Sequence, residues 1–207
     1  YTMVADAFDY SEKYGRPVLL RPTTRVCHSC ASVEILENIP KKEPDGFEKS
    51  SRWVIFPKLS YENKIIIEEN LRKMSDDFSE YERNFISGSG KKGIATGGVS
   101  YSYVSEALQN TSSECKIFKV STTPFPQKLA LEFLEGLDEV LVVEELDPII
   151  ETELITLCGL YNLKVKINGK LTGHMKNAGE NTVDSVSAAI RGFLGEVLKD
   201  SANTASN

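Results

Sequence analysis

Glu139-Val-Leu-Val-Val-Glu-Glu-Leu-Asp-Pro-Ile-Ile-Glu151 carries four consecutive apolar residues, Val140 to Val143, into a cluster of carboxylates. A short all-apolar run closed by acidic groups reads as a central parallel strand, buried on both faces. Asp147-Pro148 then has the chemistry of an N-cap followed by proline at the first helical position, with Glu151 and Glu153 near the positive end of the helix dipole. In open α/β sheets, ligands collect at the C-terminal ends of strands. The stretch is therefore both a fold signal and the first place to look for a site, with Glu144, Glu145, Asp147 and Glu151 as candidates. Successive strand residues point to opposite faces, so Glu144 and Glu145 cannot both face one ligand while still in the strand. An oxygen-ligand metal site, a hold on a cationic partner, helix capping and an interdomain polar contact are the open readings.

Outward from this strand the pattern is regular. Strands are expected near 92–96, 116–121, 139–144 and 163–167, and helices near 99–110, 127–136 and 148–161. A final helix over 182–198 places Val183, Val186, Ile190, Phe193 and Val197 on one side. Strand starts recur every ~24 residues, as strand–helix repeats do. The expected fold class is α/β, a three-layer α/β/α arrangement with a mostly parallel sheet. Upstream, Ile67, Leu71, Met74, Phe78, Tyr81 and Phe85 form one stripe at helical spacing, which predicts a long helix over 60–86 with Ser60 as its cap.

Residues 34–60 hold Pro40, Pro44, Gly46 and Pro57 and read as a linker, with Arg52-Trp-Val-Ile-Phe56 as a short apolar anchor. Before it, Val4, Ala7, Phe8 and Tyr14 share a helix face ended by Gly15, and Pro17-Val-Leu-Leu-Arg-Pro-Thr-Thr24 reads as an edge strand. One helix and one strand cannot bury a core. The expected organisation is thus 1–33 as the end of one domain, 34–60 as linker, 61–198 as the long helix plus an α/β domain, and 199–207 as a disordered tail.

The 207 residues are 41% hydrophobic and 26% charged, enough for a packed core. A net charge of −6 without basic runs argues against nucleic acid and against an anionic membrane surface. No apolar stretch is long enough to span a bilayer. Four cysteines, Cys27, Cys30, Cys115 and Cys158, are too sparse for a secreted disulfide scaffold and suggest a reducing, cytoplasmic setting. No leader peptide is visible, and the opening Tyr1-Thr2-Met3 suggests a piece of a longer protein.

Gly88-Ser-Gly90-Lys-Lys-Gly93 matches G-x-G-x-x-G, but it follows a predicted helix and precedes a strand, so a helix C-cap and turn is the better reading. Gly97-Gly98-Val-Ser-Tyr101-Ser-Tyr103 does follow a strand and open a helix. Its backbone N–H groups could hold an anion, and Gly97, Gly98, Tyr101 and Tyr103 are candidate ligand or partner contacts. Cys27-His28-Ser29-Cys30 has the spacing of a redox or metal pair, yet the other cysteines lie on later elements and the second histidine is His174. An ordinary loop is the simpler reading. Val120 to Gln127, with Pro124 and Pro126, aims the next helix, and Asn110-Thr-Ser112 has glycosylation spacing that is idle in a cytoplasmic chain. Two histidines in loop-like contexts assemble no nucleophilic triad.

Pro17-Val-Leu-Leu-Arg21-Pro-Thr23-Thr24-Arg25-Val26-Cys27-His28-Ser29, Gly97 with Tyr101 to Leu108, Pro124-Phe-Pro126, Val142 to Glu151, and Gly169-Lys170 with Gly179-Glu180 together resemble the alpha subunit of indolepyruvate:ferredoxin oxidoreductases. The resemblance runs over roughly residues 1–185. It implies that 1–33 end a pyrimidine-binding thiamine domain and that 61–198 form a domain like the C-terminal domain of transketolases. It further implies an intact enzyme that oxidatively decarboxylates aryl 2-oxoacids to acyl-CoA using thiamine diphosphate, Mg and [4Fe-4S] clusters. Its partners would be the remaining domains of its own subunit, a beta subunit and ferredoxin. The chain itself lacks a Gly-Asp-Gly thiamine signature and a cluster-ligating cysteine series, so neither catalytic residues nor cofactors are expected within it. A scaffold role follows, with Arg21, Thr24 and Arg25 nearer the active-site cleft, the strand-end carboxylates and the Gly97–Tyr103 turn against neighbouring domains, and an exposed face prone to self-association. The alternatives are a free-standing Rossmann-like anion- or nucleotide-binding module at Gly97–Ser100, and a Cys27/Cys30 redox or metal-binding protein.

Overall fold

The computed structural model describes residues 1–35, 43, 46–51, 54, 56–109, 111 and 113–195. The linker tryptophan, the Asn110-Thr-Ser112 triplet, Val197 and the tail 199–207 involve positions outside the described residues. The chain divides into two compact units, Tyr1–Asn70 and Leu71–Asn207.

The second unit is a five-stranded sheet in the order β1-β3-β2-β4-β5. Its strands are β1 (Phe85–Gly88), β2 (Lys92–Gly97), β3 (Lys116–Val120), β4 (Glu139–Val143) and β5 (Lys166–Asn168). β2, β3, β4 and β5 are mutually parallel, and β1 runs antiparallel on the β3 edge. The apolar run predicted as a central strand is β4, paired with β2 on one side and β5 on the other. The helices between strands are α4 (Ser100–Leu108), α5 (Gln127–Leu134) and α6 (Ile149–Tyr161), and α7 (Val183–Leu194) follows β5.

Alternation along the strands sorts the core into two layers. Ala95, Phe118, Val140 and Val142 pack with Phe133 and Leu134 of α5 and Leu154 and Leu157 of α6. Ile94, Leu141 and Val143 pack on the opposite face with Val104 of α4 and Val186 and Ile190 of α7. A sheet buried on both faces gives the three-layer α/β/α arrangement, and it explains why Val140 to Val143 read as an uninterrupted apolar run. Burial of each such side chain contributes about 1.5–3 kcal/mol.

Two expectations for the segment leading into β2 are corrected. The long helix α3 spans Pro57–Glu80, starting at a proline suited to the first turn and ending well before Phe85. Buried Asn84 ends it: its Nδ2 donates to the Phe78 carbonyl (2.8 Å) and to Thr122 Oγ1 (2.7 Å), while its Oδ1 accepts from the Ser121 N–H (2.6 Å). Phe85 then pairs with Lys119 as a strand residue. Consequently Gly88-Ser-Gly90-Lys-Lys-Gly93 is not a helix cap. It leaves β1 and enters β2, so no helix opens on it.

The first unit contains α1 (Thr2–Tyr14), closed by Gly15 in the left-handed region at φ 56°, and the single turn α2 (Thr24–Cys27). Pro17–Thr23 is not a strand; no strand partner lies beside it among the described residues, and Leu19 is 93% exposed. Pro17 and Pro22 each remove a backbone donor, which works against a ladder here. Helix α1 buries none of its residues, and Val4 and Phe8 lie exposed.

Candidate functional site

The C-terminal end of β4 gathers the densest set of buried polar side chains in the second unit. β4 delivers Glu144 at its end, 5% exposed, directly under the start of α6. Its two carboxylate oxygens accept from the N–H groups of Ile150 (2.8 Å) and Glu151 (3.0 Å). The residue expected to cap α6, Asp147, makes no side-chain cap bond, and the helix begins at Ile149 with Pro148 before it. Glu144 does that work from the strand, satisfying two orphan donors and placing negative charge at the positive end of the dipole. Burial pushes its carboxyl above the usual carboxylate range, against the pull of the Ile150, Glu151 and Ile149 backbone donors and with a small push from Glu151.

Glu151, on the first turn of α6, is fully buried. Its Oε2 accepts from the Leu171 N–H (3.1 Å), and its Oε1 has no protein hydrogen-bond partner among the described residues. Gly169 makes room for it: a β-carbon there would lie 2.6 Å from the Glu151 carboxylate. Lys170, 3% exposed, donates its Nζ to the Leu146 carbonyl (2.7 Å). Asn181 completes the arrangement, its Nδ2 donating to the Glu144 carbonyl (3.2 Å) and to Ser100 Oγ (3.3 Å), and its N–H to Glu145 Oε1 (3.1 Å). The loop between β5 and α7 is thereby tied to β4 and to the first turn of α4.

The candidates from the sequence fall into separate groups. Glu144 and Glu145 are brought together with the Gly97–Ser100 turn through Asn181, but as internal bonding partners turned in different directions rather than as one ligand cage. Gly97 is required by close packing, since a β-carbon would stand 2.8 Å from the Val120 carbonyl oxygen, and Gly98 takes φ 56°. Ser100 at the start of α4 is fully buried beside Asn181, while Gly98 before it and Ser102 after it are exposed. Tyr101 stands edge-on to Phe85 with ring centroids 5.7 Å apart, and the Lys119 ammonium lies 5.2 Å from the Tyr101 ring and 5.6 Å from Phe85. Desolvation, then the nearby Arg83 charge, lowers the Lys119 pKa. Tyr103 packs at the margin of the α4–α7 core layer. Asp147 is exposed. Arg21 and Thr24 are exposed in the first unit, and Arg25 lies on α2. Cys27 and Cys30 are free and exposed, whereas burial raises the Cys115 and Cys158 thiols.

Asn181 and Asn84 were not singled out by sequence reasoning and carry no signal beyond their polarity. Glu151 was a candidate with the other strand-end carboxylates and Lys170 stood within the Gly169-Lys170 motif, but nothing in the sequence marked the burial of either. Among the described residues, no group of three or more His, Cys, Asp or Glu side chains is placed to hold a metal ion, and no helix is long and apolar enough to cross a membrane.

This arrangement defines a mostly parallel α/β domain whose strand-end carboxylates brace the fold, and the comparisons with known proteins place it beside an oxidoreductase subunit. The chain is similar along most of its length to indolepyruvate oxidoreductase subunit IorA. It is 37% identical to that subunit from Methanothermobacter thermautotrophicus over 91% of this chain and 31% of the relative. It is 35% identical to the Archaeoglobus fulgidus subunit over 91% of this chain and 30% of the relative, and 34% identical to that of Pyrococcus abyssi over 93% and 31%. The chain thus spans about a third of the length of these curated relatives. No family model matches it. A solved structure described as a split gene transketolase, inactive beta4 tetramer, covers 55% of this chain and 41% of its own at 19% identity, with a TM-score of 0.43, below the level that establishes a common fold.

Proposed function

We propose that this chain is the scaffolding, interdomain portion of the alpha subunit of an indolepyruvate:ferredoxin oxidoreductase. The observation that carries the reading is the 37% identity along 91% of the chain to a subunit of which it spans 31%. The intact enzyme would oxidatively decarboxylate an aryl 2-oxoacid to its acyl-CoA and pass electrons to ferredoxin, in the cytoplasm and together with a beta subunit. Thiamine diphosphate, Mg and [4Fe-4S] clusters would supply that chemistry.

The residues of this chain do not fit those groups. No Gly-Asp-Gly segment is present, and the four cysteines form no cluster-ligating series. Glu144 and Glu145 are engaged with backbone donors of α6 and of the β5–α7 loop, Glu151 Oε2 with the Leu171 N–H, and Asp147 stands apart from them on the surface. The work left to the chain is mechanical: to hold a rigid α/β body between catalytic portions of the subunit. Residues 61–198 would then be the domain like the C-terminal domain of transketolases, and Arg21, Thr24 and Arg25 would lie toward the cleft.

Calorimetry and dye reduction test the reading. The purified chain is expected to show no 2-oxoacid-dependent viologen reduction and no heat of thiamine diphosphate binding in the presence of Mg. Micromolar binding, or turnover by the chain alone, overturns it.

A further inference from the structure

The buried polar bracing at the end of β4 has an exposed counterpart. Leu146, Ile149 and Leu171 are 69%, 58% and 59% exposed. They sit on the two backbone segments that the bracing ties together. Lys170 Nζ grips the carbonyl of Leu146, the Leu171 N–H bonds Glu151, and Glu144 fixes the first turn of α6 beside Ile149. Leu146 is also held at φ 56°, the left-handed region that a β-carbon disfavours. An exposed leucine kept in a strained conformation by a buried lysine is a poor choice for a surface that meets only water.

We propose that Leu146, Ile149 and Leu171 form a docking surface for another domain of the same subunit. The proposal rests on the reading of the chain as one portion of a larger subunit, and it moves the interdomain contact from the strand-end carboxylates to the apolar residues they support. The occupant follows from two observations. The chain spans only 31% of the subunit it resembles, which leaves ample protein to cover the patch. Asp147, exposed between Leu146 and Ile149, gives the patch an acidic side. A second copy docked through the same surface about a two-fold axis would set like charge against like charge. The surface that fits is apolar with Lys or Arg at its edge.

Hydrogen–deuterium exchange on the full-length subunit and on this chain alone tests the proposal, read on peptides covering 145–150 and 169–173. Exchange at least tenfold slower in the full-length subunit is expected. Leu146→Gly supplies the second arm, because glycine accepts φ 56° without a β-carbon. It should leave the melting temperature of the chain alone unchanged or raised, while restoring fast exchange and lowering the melting temperature in the full-length subunit. Equal exchange in both proteins overturns the proposal. So does protection in the chain alone that grows with its concentration, which would assign the patch to a second copy. Failure of the scaffold reading shows separately, as cofactor binding or turnover by the chain alone.

Discussion

At the scale of single residues, the stability of the second unit turns on Glu144. Its carboxylate serves two helix N–H groups from a buried position, so Glu144→Ala leaves both donors without a partner. The expected loss is about 2 kcal/mol, measured by urea unfolding. The pH response has a definite sign. Burial raises the folded-state pKa above the ordinary 4.5, so the folded protein holds the proton more tightly than the unfolded chain. The contribution of Glu144 is therefore most favourable below pH 4.5 and is lost as pH rises through its raised folded value. Glu144→Gln removes that titration, and the stability of the wild type relative to this variant should fall as pH rises from 4.5. A flat difference would show that the carboxyl is not perturbed by burial. Glu139 acts in the opposite sense: its hydrogen bond and 2.9 Å ion pair with Lys92 lower its pKa. Its share is modest for a partly exposed pair, present above pH 4.5 and lost as pH falls through the lowered value.

At the scale of elements, the junction between α3 and β1 depends on Asn84. Asn84→Ala removes three hydrogen bonds that join the end of α3 to the β3–α5 connection. Unfolding should become easier by about 1–3 kcal/mol, with the largest rise in amide exchange over 81–88. An unchanged exchange pattern there would refute the joining role. This junction also marks where the sequence stops being legible. β4 was readable because burial on both faces writes an unbroken apolar run. The boundary of α3 was not, because Phe85 continues a helical spacing by position while its backbone pairs as a strand. Pro17–Thr23 failed for a related reason: apolar composition suits a strand, but a strand needs a neighbour to pair with, and composition does not name one. Glu144 was picked out for its place and not for its task. A cap delivered from the preceding strand leaves no local spacing rule, unlike Asp147, whose position before a proline advertises a cap it does not make. The ties from Asn181 to Ser100 and Glu144 span 81 and 37 residues, beyond the reach of any local pattern.

At the scale of the whole molecule, the two units differ in how much they bury. The second has a core layer on each face of its sheet, whereas α1 in the first buries nothing and carries Phe8 at 70% exposure. In the isolated chain, amides of α1 should exchange within seconds to minutes at neutral pH, and those of β2 and β4 only on global unfolding of the second unit. Protection of α1 equal to that of β4 would contradict the structure. The apolar residues that the first unit exposes fit a chain whose contacts extend beyond itself, in keeping with the scaffold reading.

Asn181 has a further consequence for how such a chain is made. At about 5–20 residues per second, ribosomal synthesis adds Asn181 roughly 4–16 seconds after it adds Ser100. For that interval the Ser100 hydroxyl relies on water, and the Glu144 carbonyl does so for the shorter time its 37-residue separation takes. The faces of Ile94, Leu141 and Val143 wait equally for α7, which comes later still. A nascent chain paused before this point would lack the Val186, Ile190 and Phe193 side of that core layer, with α4 alone covering the sheet face.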